Sequence, residues 1–198
     1  MLPLVIGLVV FFGIHLLPTS PELRSGMFER FGAGAYRMAF SIISLAGFAL
    51  IVVGYHKLQL DPGKNVHLFT PPEWMRHVTY ALMLPSMIFL VAAYVPSRIR
   101  TALKHPMLLS IKIWALAHLL VNGDLASAVL FGSFLAYAVY DRISLKSRIA
   151  LGPLGTRTGG LANDIAVVVA GLALYAFMLL MGHGMLIGVP LGQTSLAQ

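Results

Sequence analysis

Apolar residues run along this chain in blocks broken by short polar stretches, with no period-two alternation. Six blocks stand out: Leu2–Leu17, Tyr36–Tyr55, His77–Val95, Met107–Val121, Leu125–Tyr140 and Ala162–Met181. A bilayer core of about 30 Å takes roughly 20 apolar residues as helix, or about 17 at the short end. The pattern therefore predicts transmembrane helices and argues against a β-barrel. The fourth and fifth blocks are short and separated only by Asn122-Gly123-Asp124, which predicts a tight helical hairpin. The tail Met185–Leu191 is too short to span, and its Gly-Pro pattern predicts an irregular end on the membrane surface. The first block has no Lys or Arg before it and no small-x-small cleavage site, so it reads as a retained helix. The expectation is an all-α polytopic transmembrane bundle of about six spans, residues 1–198 forming a single domain.

Composition agrees with this picture and narrows the chemistry. Of 198 residues, 58% are apolar and 11% charged, where soluble domains carry about 25% charge. That excludes a disordered chain. With no cysteine, a disulfide scaffold and any cysteine-ligated zinc or iron–sulfur site are excluded as well. The net charge of +7 suggests nucleic acid at first, but the basic residues are segmented by loop. Arg24, Arg30, Arg37, Arg98, Arg100, Lys104, Arg142, Lys146, Arg148 and Arg157 fall on one side of the expected membrane. Only Lys57, Lys64 and Arg76 fall on the other, and Lys112 lies within the fourth block. The excess orients the protein with both termini out, and it sits near anionic lipid. No nucleic-acid partner is expected. The longest linker, Arg142–Leu161, is expected as a mobile cytoplasmic loop.

Ionisable groups inside apolar runs are costly and so are candidates for function. His15 and His118 are both of this kind. Either could be a neutral histidine bonded to a neighbouring helix. Two of them, in a chain without other strong catalytic groups, favour ligation. Paired histidines on facing helices are one way to hold haem. Helical rise puts their backbones on the order of 10 Å apart in depth. Side chains lean toward a helix N-terminus, and the two helices run in opposite directions, so the imidazoles converge on the midplane.

Other candidates are weaker. His105 opens the fourth block as a cap residue, on a different face from His118, which follows 13 residues later. His77, after Arg76, is a ligand or anion contact and more simply an interface anchor. Lys112 is a countercharge for a propionate or, more simply, a snorkelling lysine. His56, His67 and His183 are expected near the outer surface and solvated. Asp164 is expected to favour the dipole at the start of the sixth block as a cap. Asp141 and Asp164 are not evidently paired. Met83, Met87, Met178 and Met181 read as packing. Phosphate-binding and dinucleotide glycine loops, HExxH and CxxC are all absent from the sequence.

Several motifs together carry a resemblance over nearly the whole chain. They are Gly13-Ile14-His15, Leu45-Ala46-Gly47, Pro71-Pro72-Glu73-Trp74-Met75-Arg76-His77, Ala92-Ala93-Tyr94-Val95-Pro96 and His105-Pro106-Met107-Leu108-Leu109. Trp114-Ala115-Leu116-Ala117-His118-Leu119-Leu120, Asp141-Arg142 and His183-Gly184 complete the set. On these the chain resembles NnrU proteins, a bacterial polytopic family named for a gene linked to nitrite and nitric oxide reduction. That family is similar to plant and cyanobacterial 15-cis-ζ-carotene isomerase, a membrane haem b enzyme with two histidine ligands. The resemblance places those ligands on His15 and His118. It also implies a departure: the isomerase has a cysteine implicated in ligand exchange where this chain has Ala115.

A fainter similarity is to isoprenylcysteine carboxyl methyltransferases, which use S-adenosylmethionine, but Lys104-His105-Pro106-Met107-Leu108 departs from their motif. The leading expectation is a haem b protein of the bacterial inner membrane with a redox role around nitric oxide. The alternatives are a haem-dependent cis–trans isomerase of a carotenoid-like polyene, a non-enzymatic partner of a reductase, and a methyltransferase.

Overall fold

The computed structural model describes residues 1–148 and 154–191 of the chain. The described residues form helices: α1 Leu2–Leu16, α2 Pro21–Leu60, α3 Met75–Ala92, α4 Arg98–Leu103, α5 Pro106–Val121, α6 Leu125–Ser144, α7 Leu161–Phe177 and α8 His183–Ile187. No β-strand occurs among them; one isolated antiparallel bridge joins His67 to Asp124. Each of the six apolar blocks coincides with a helix. Four stretches are long and apolar enough to cross a membrane: Leu2–Thr19, Pro21–Leu60, Met75–Ala92 and Leu161–Ile187. Pro106–Val121 is a shorter apolar helix, the first arm of the expected hairpin.

α2 has 40 residues, which at 1.5 Å per residue is about 60 Å, twice a bilayer core. It is two helices in one. Gly32 breaks it with φ 79° and ψ 152°, a backbone open to a residue without a Cβ. Residues 21–31 precede the break, and the apolar block follows it.

The pairs α1–α2, α3–α5, α3–α7 and α5–α6 run antiparallel, and α1 and α6 run parallel. α1 packs on α2 through glycines. A Cβ at Gly7 would stand 2.6 Å from Ile51 N, one at Gly47 2.8 Å from Phe11 N, and one at Gly54 2.5 Å from Leu4 N. Small residues of this kind let membrane helices approach without a hydrophobic drive between them. α3 and α5 are tied by polar bonds at two heights. Thr79 Oγ1 donates to Ala117 O at 3.0 Å, and Ser86 and Ser110 exchange hydroxyl bonds to each other's carbonyls at 3.0 and 2.8 Å. α7 meets α3 at Tyr175, whose hydroxyl donates to Tyr80 O at 3.1 Å. α5 and α6 form the hairpin, α1 lies along α6, and α8 closes back on α2. Leu4, Leu8, Ile51, Tyr55, Leu130 and Phe131 form the core. Large apolar side chains such as Leu2, Val9, Met38 and Leu180 lie outside, as lipid-facing positions should.

One end is closed by the 61–74 loop, which folds over the hairpin turn. Leu68 N and Phe69 N both donate to Gly123 O, and Leu125 N donates to Val66 O at 2.8 Å. Asp124 caps α6 by accepting from Ser127 N at 2.8 Å.

The other end corrects several expectations. The linker Arg142–Leu161 is partly helical, since α6 continues to Ser144. Its later part is held, with Arg100 donating to Gly155 O and Arg157 O at 2.8 and 2.9 Å. Residues 149–153 of the linker lie outside the described residues. Asp164 does not cap its own helix through its side chain; it caps α4, accepting from Arg98 N at 2.7 Å and Arg98 Nε at 2.5 Å. The reason is tertiary, because α4 ends up against the first turn of α7. Asp141 pairs with Arg148, not with Asp164. Of the tail expected to be irregular, residues 185–187 are helical and residues 188–191 are not. α7 passes through a π-helical turn, Met178–Gly182, into α8, and Gly188 ends the helix at φ 81°.

Candidate functional site

The aromatic residues of α6 form a ladder at helical spacing: Phe131, Phe134 and Tyr137. The two buried-block histidines lie at its two ends. His15 on α1 stands beside Tyr137, with ring centroids 6.1 Å apart. His118 on α5 stacks on Phe131 at 4.6 Å. Six residues of α6 separate these levels, about 9 Å of rise, so the expected convergence of the two imidazoles on one depth is not seen. Phe134 fills the middle, touching Phe11, Phe12 and Trp114 at 5.5, 5.0 and 5.3 Å. His15 and His118 thus share one aromatic cluster without a direct ring contact.

Each histidine is fixed in the same way. His15 Nδ1 donates to Phe11 O at 2.7 Å, and His118 Nδ1 donates to Trp114 O at 2.8 Å. The acceptor is the carbonyl four residues earlier, so both rings lean toward their helix N-termini. A carbonyl can only accept, so the ring proton is on Nδ1 and the lone pair on Nε2. That is the tautomer a metal ligand needs, with the second nitrogen held by a backbone carbonyl. The rings are also held by their neighbours. Phe11 stacks on His15 at 4.1 Å and Phe40 approaches it at 5.0 Å. Tyr137 donates its hydroxyl to His15 O at 3.0 Å. His118 is 8% exposed and has Trp114 at 5.4 Å.

The remaining candidates are not brought to these rings. His77 is exposed in the first turn of α3, and its side chain makes no hydrogen bond or ring contact among the described residues. His105 begins α5 at the basic end, 13 residues or about 20 Å of rise from His118. There burial, and next the charge of Arg142, lowers its pKa. Lys112 is half-buried on α5, without a hydrogen bond or ion pair among the described residues. It lies six residues before His118, which turns it to another face of the helix. It makes no contact that would mark it as a countercharge.

Two histidines expected to be solvated are not. His56 is half-buried, and its ring packs where a Cβ at Gly188 would stand, 2.7 Å from Cε1. His183 is half-buried with its ring facing His118, centroids 5.9 Å apart and planes 8° apart. Sequence reasoning missed it because the sixth block was ended at Met181, two residues too soon. The signal present was the His183-Gly184 motif itself. Among the described residues no group of three or more His, Cys, Asp or Glu is placed to hold a metal ion, so any metal here rests on paired imidazoles.

Neither curated proteins nor solved structures show a relative of the chain. The family model described as NnrU protein matches residues 3–191, and the chain belongs to the NnrU family.

Proposed function

We propose that this chain is a haem b protein of the bacterial cytoplasmic membrane, with a redox role linked to nitrite and nitric oxide metabolism. The carrying observation is the matched preparation of His15 and His118. Each sits in an apolar helix, each has Nδ1 tied to a carbonyl, and each keeps an Nε2 lone pair in an aromatic surround. In chemistry this donor set suits the axial positions of haem, which takes neutral imidazole, and Phe134 would have to move from between the two rings for both to reach one iron. His118 would hold one side, and the sequence motifs assign His15 to the other. Haem bound there supplies one-electron exchange and, when one imidazole leaves, a position for nitric oxide.

The protein's own part is to fix tautomer and orientation, and to exclude water with Phe11, Trp114, Phe131 and Phe134. In this reading the six apolar helices each cross the bilayer, with both termini outside and the Arg98–Arg157 end in the cytoplasm. The family supports the link to nitrite and nitric oxide, through the gene for which it is named.

The test is an absorption spectrum of detergent-purified protein, oxidised and dithionite-reduced, with haem quantified per chain. One haem per chain, a sharp reduced α-band and a spectral change under nitric oxide are expected. Absence of haem after reconstitution refutes the reading. Full occupancy without response to nitric oxide removes the nitric oxide role.

A further inference from the structure

Two lysines at the end closed by the 61–74 loop share one hollow. Gly54 seats the backbone of Leu4, in the first turn of α1. α2 continues past that contact to Leu60, and the 3₁₀ turn Pro62–Lys64 follows it. Between these segments and the start of α1 lies a cavity of about 310 Å³. Lys57, Asp61 and Lys64 line it, and Pro3, Gly54 and Leu58 give it an apolar wall. That volume is at the lower end of what small-ligand sites show.

Charge sets the chemistry of an occupant. Lys64 Nζ pairs with Asp61 Oδ2 at 2.5 Å. Lys57 makes no hydrogen bond or ion pair among the described residues. Two ammonium groups against one carboxylate leave one positive charge, which a ligand with one negative charge balances. A phosphodiester carries that charge on two oxygens, one for each lysine. The Asp61 carboxylate only accepts hydrogen bonds, so it favours a headgroup with an O–H or N–H. Glycerol and ethanolamine have such donors and choline has none.

The surroundings choose between a lipid and a phosphate from solution. Leu2 and Leu60, next in the chain to lining residues, are exposed, as is Val53 beside Gly54. In a bilayer these side chains meet acyl chains, so the hollow lies where apolar contact gives way to charge. An amphiphile with an anionic head uses both the lysines and the apolar wall. A free phosphate uses only the lysines. Basic pockets at helix ends are suited to lipid headgroups for the same reason.

We propose that this hollow is a headgroup site for one anionic glycerophospholipid, with the phosphodiester on Lys57 and Lys64 and the headgroup donor on Asp61. The inference does not depend on the haem reading.

The test is native mass spectrometry of the full chain in detergent, titrated with phosphatidylglycerol, phosphatidylethanolamine and phosphatidylcholine. One phosphatidylglycerol per chain is expected, with phosphatidylethanolamine weaker and phosphatidylcholine weakest. Lys57→Gln and Lys64→Gln are each expected to weaken phosphatidylglycerol binding about fivefold. Arg76→Gln removes a charge that does not line the hollow and is expected to change nothing. Asp61→Ala is expected to lose the preference for ethanolamine over choline. Both lysines are exposed, so their variants keep the fold, which an unchanged melting temperature without added lipid checks.

An equal loss with Arg76→Gln shows attraction to surface charge in general and overturns the site. Wild-type binding by Lys57→Gln, or phosphatidylcholine bound as well as phosphatidylglycerol, overturns it too. Displacement of the lipid by an equal concentration of glycerol 3-phosphate overturns the lipid assignment in favour of a soluble phosphate.

Discussion

Asn65 Nδ2 donates to Asp124 Oδ1 at 2.8 Å, and Asn65 Oδ1 accepts from Ala126 N at 3.0 Å. One loop asparagine thus serves both the cap of α6 and one of the free amides beyond it. Asp124 also accepts from Ser127 N and Ser127 Oγ, at 2.8 and 2.7 Å. Asp124→Ala should therefore cost about 1–2 kcal/mol, while Asp124→Asn, a good cap, should cost well under that. Asn65→Ala should cost about 1 kcal/mol. Unfolding midpoints in detergent check the order of the three.

The glycine contact between α1 and α2 predicts a contrast. Gly54→Ala puts a methyl against Leu4 backbone at 2.5 Å, where neither side can give, and should destabilise by about 1–3 kcal/mol. Gly13→Ala has open space around it and should be neutral or stabilising by up to about 1 kcal/mol. Thermal unfolding of the two variants side by side measures the difference.

Tyr55 is buried, and its hydroxyl shares a 2.8 Å bond with Ser127 Oγ. Tyr55→Phe removes one partner of a neutral bond and should cost about 0.5–1.5 kcal/mol. Ser127→Ala strands the tyrosine hydroxyl in the core and takes a bond from Asp124, so it should cost about 1–3 kcal/mol. The reverse order, measured by chemical denaturation, would count against this bond as the link between α2 and α6.

His105 gives a pH dependence. Burial and then Arg142 hold its pKa below the ordinary 6.5 in the folded protein. The unfolded chain therefore takes up the proton first, and folding loses stability as pH falls below 6.5. His105→Gln should flatten part of that acid limb and leave the stability difference above pH 7.5 unchanged. Melting temperatures of wild type and variant between pH 7.5 and 5 test it.

The apolar blocks were legible because lipid-facing and core positions are both apolar, so a spanning helix shows as a continuous run. The hairpin turn was legible from Asn122-Gly123-Asp124, and the difference in depth between His15 and His118 from helical rise; the expected meeting of their rings was not, because Phe134 lies between them. Three more things were not. Residues 21–31 carry charges on a helical turn that reads as a loop beside a long apolar block. Asp164 looks like the cap of the helix it opens, and only the packing of α4 against α7 shows that it serves another. His183 depends on a change of helical phase in Met178–Gly182, and no residue type there announces a π-turn.

The break at Gly32 gives α2 two independent parts. Thickening or thinning of the bilayer tilts helices to match their apolar length. A swivel between an interfacial arm and the spanning rod lets the arm follow the headgroups while the rod keeps its seat on α1. With residue 32 off helical geometry, a change of tilt in residues 21–31 need not be passed to the seat of the later part on α1.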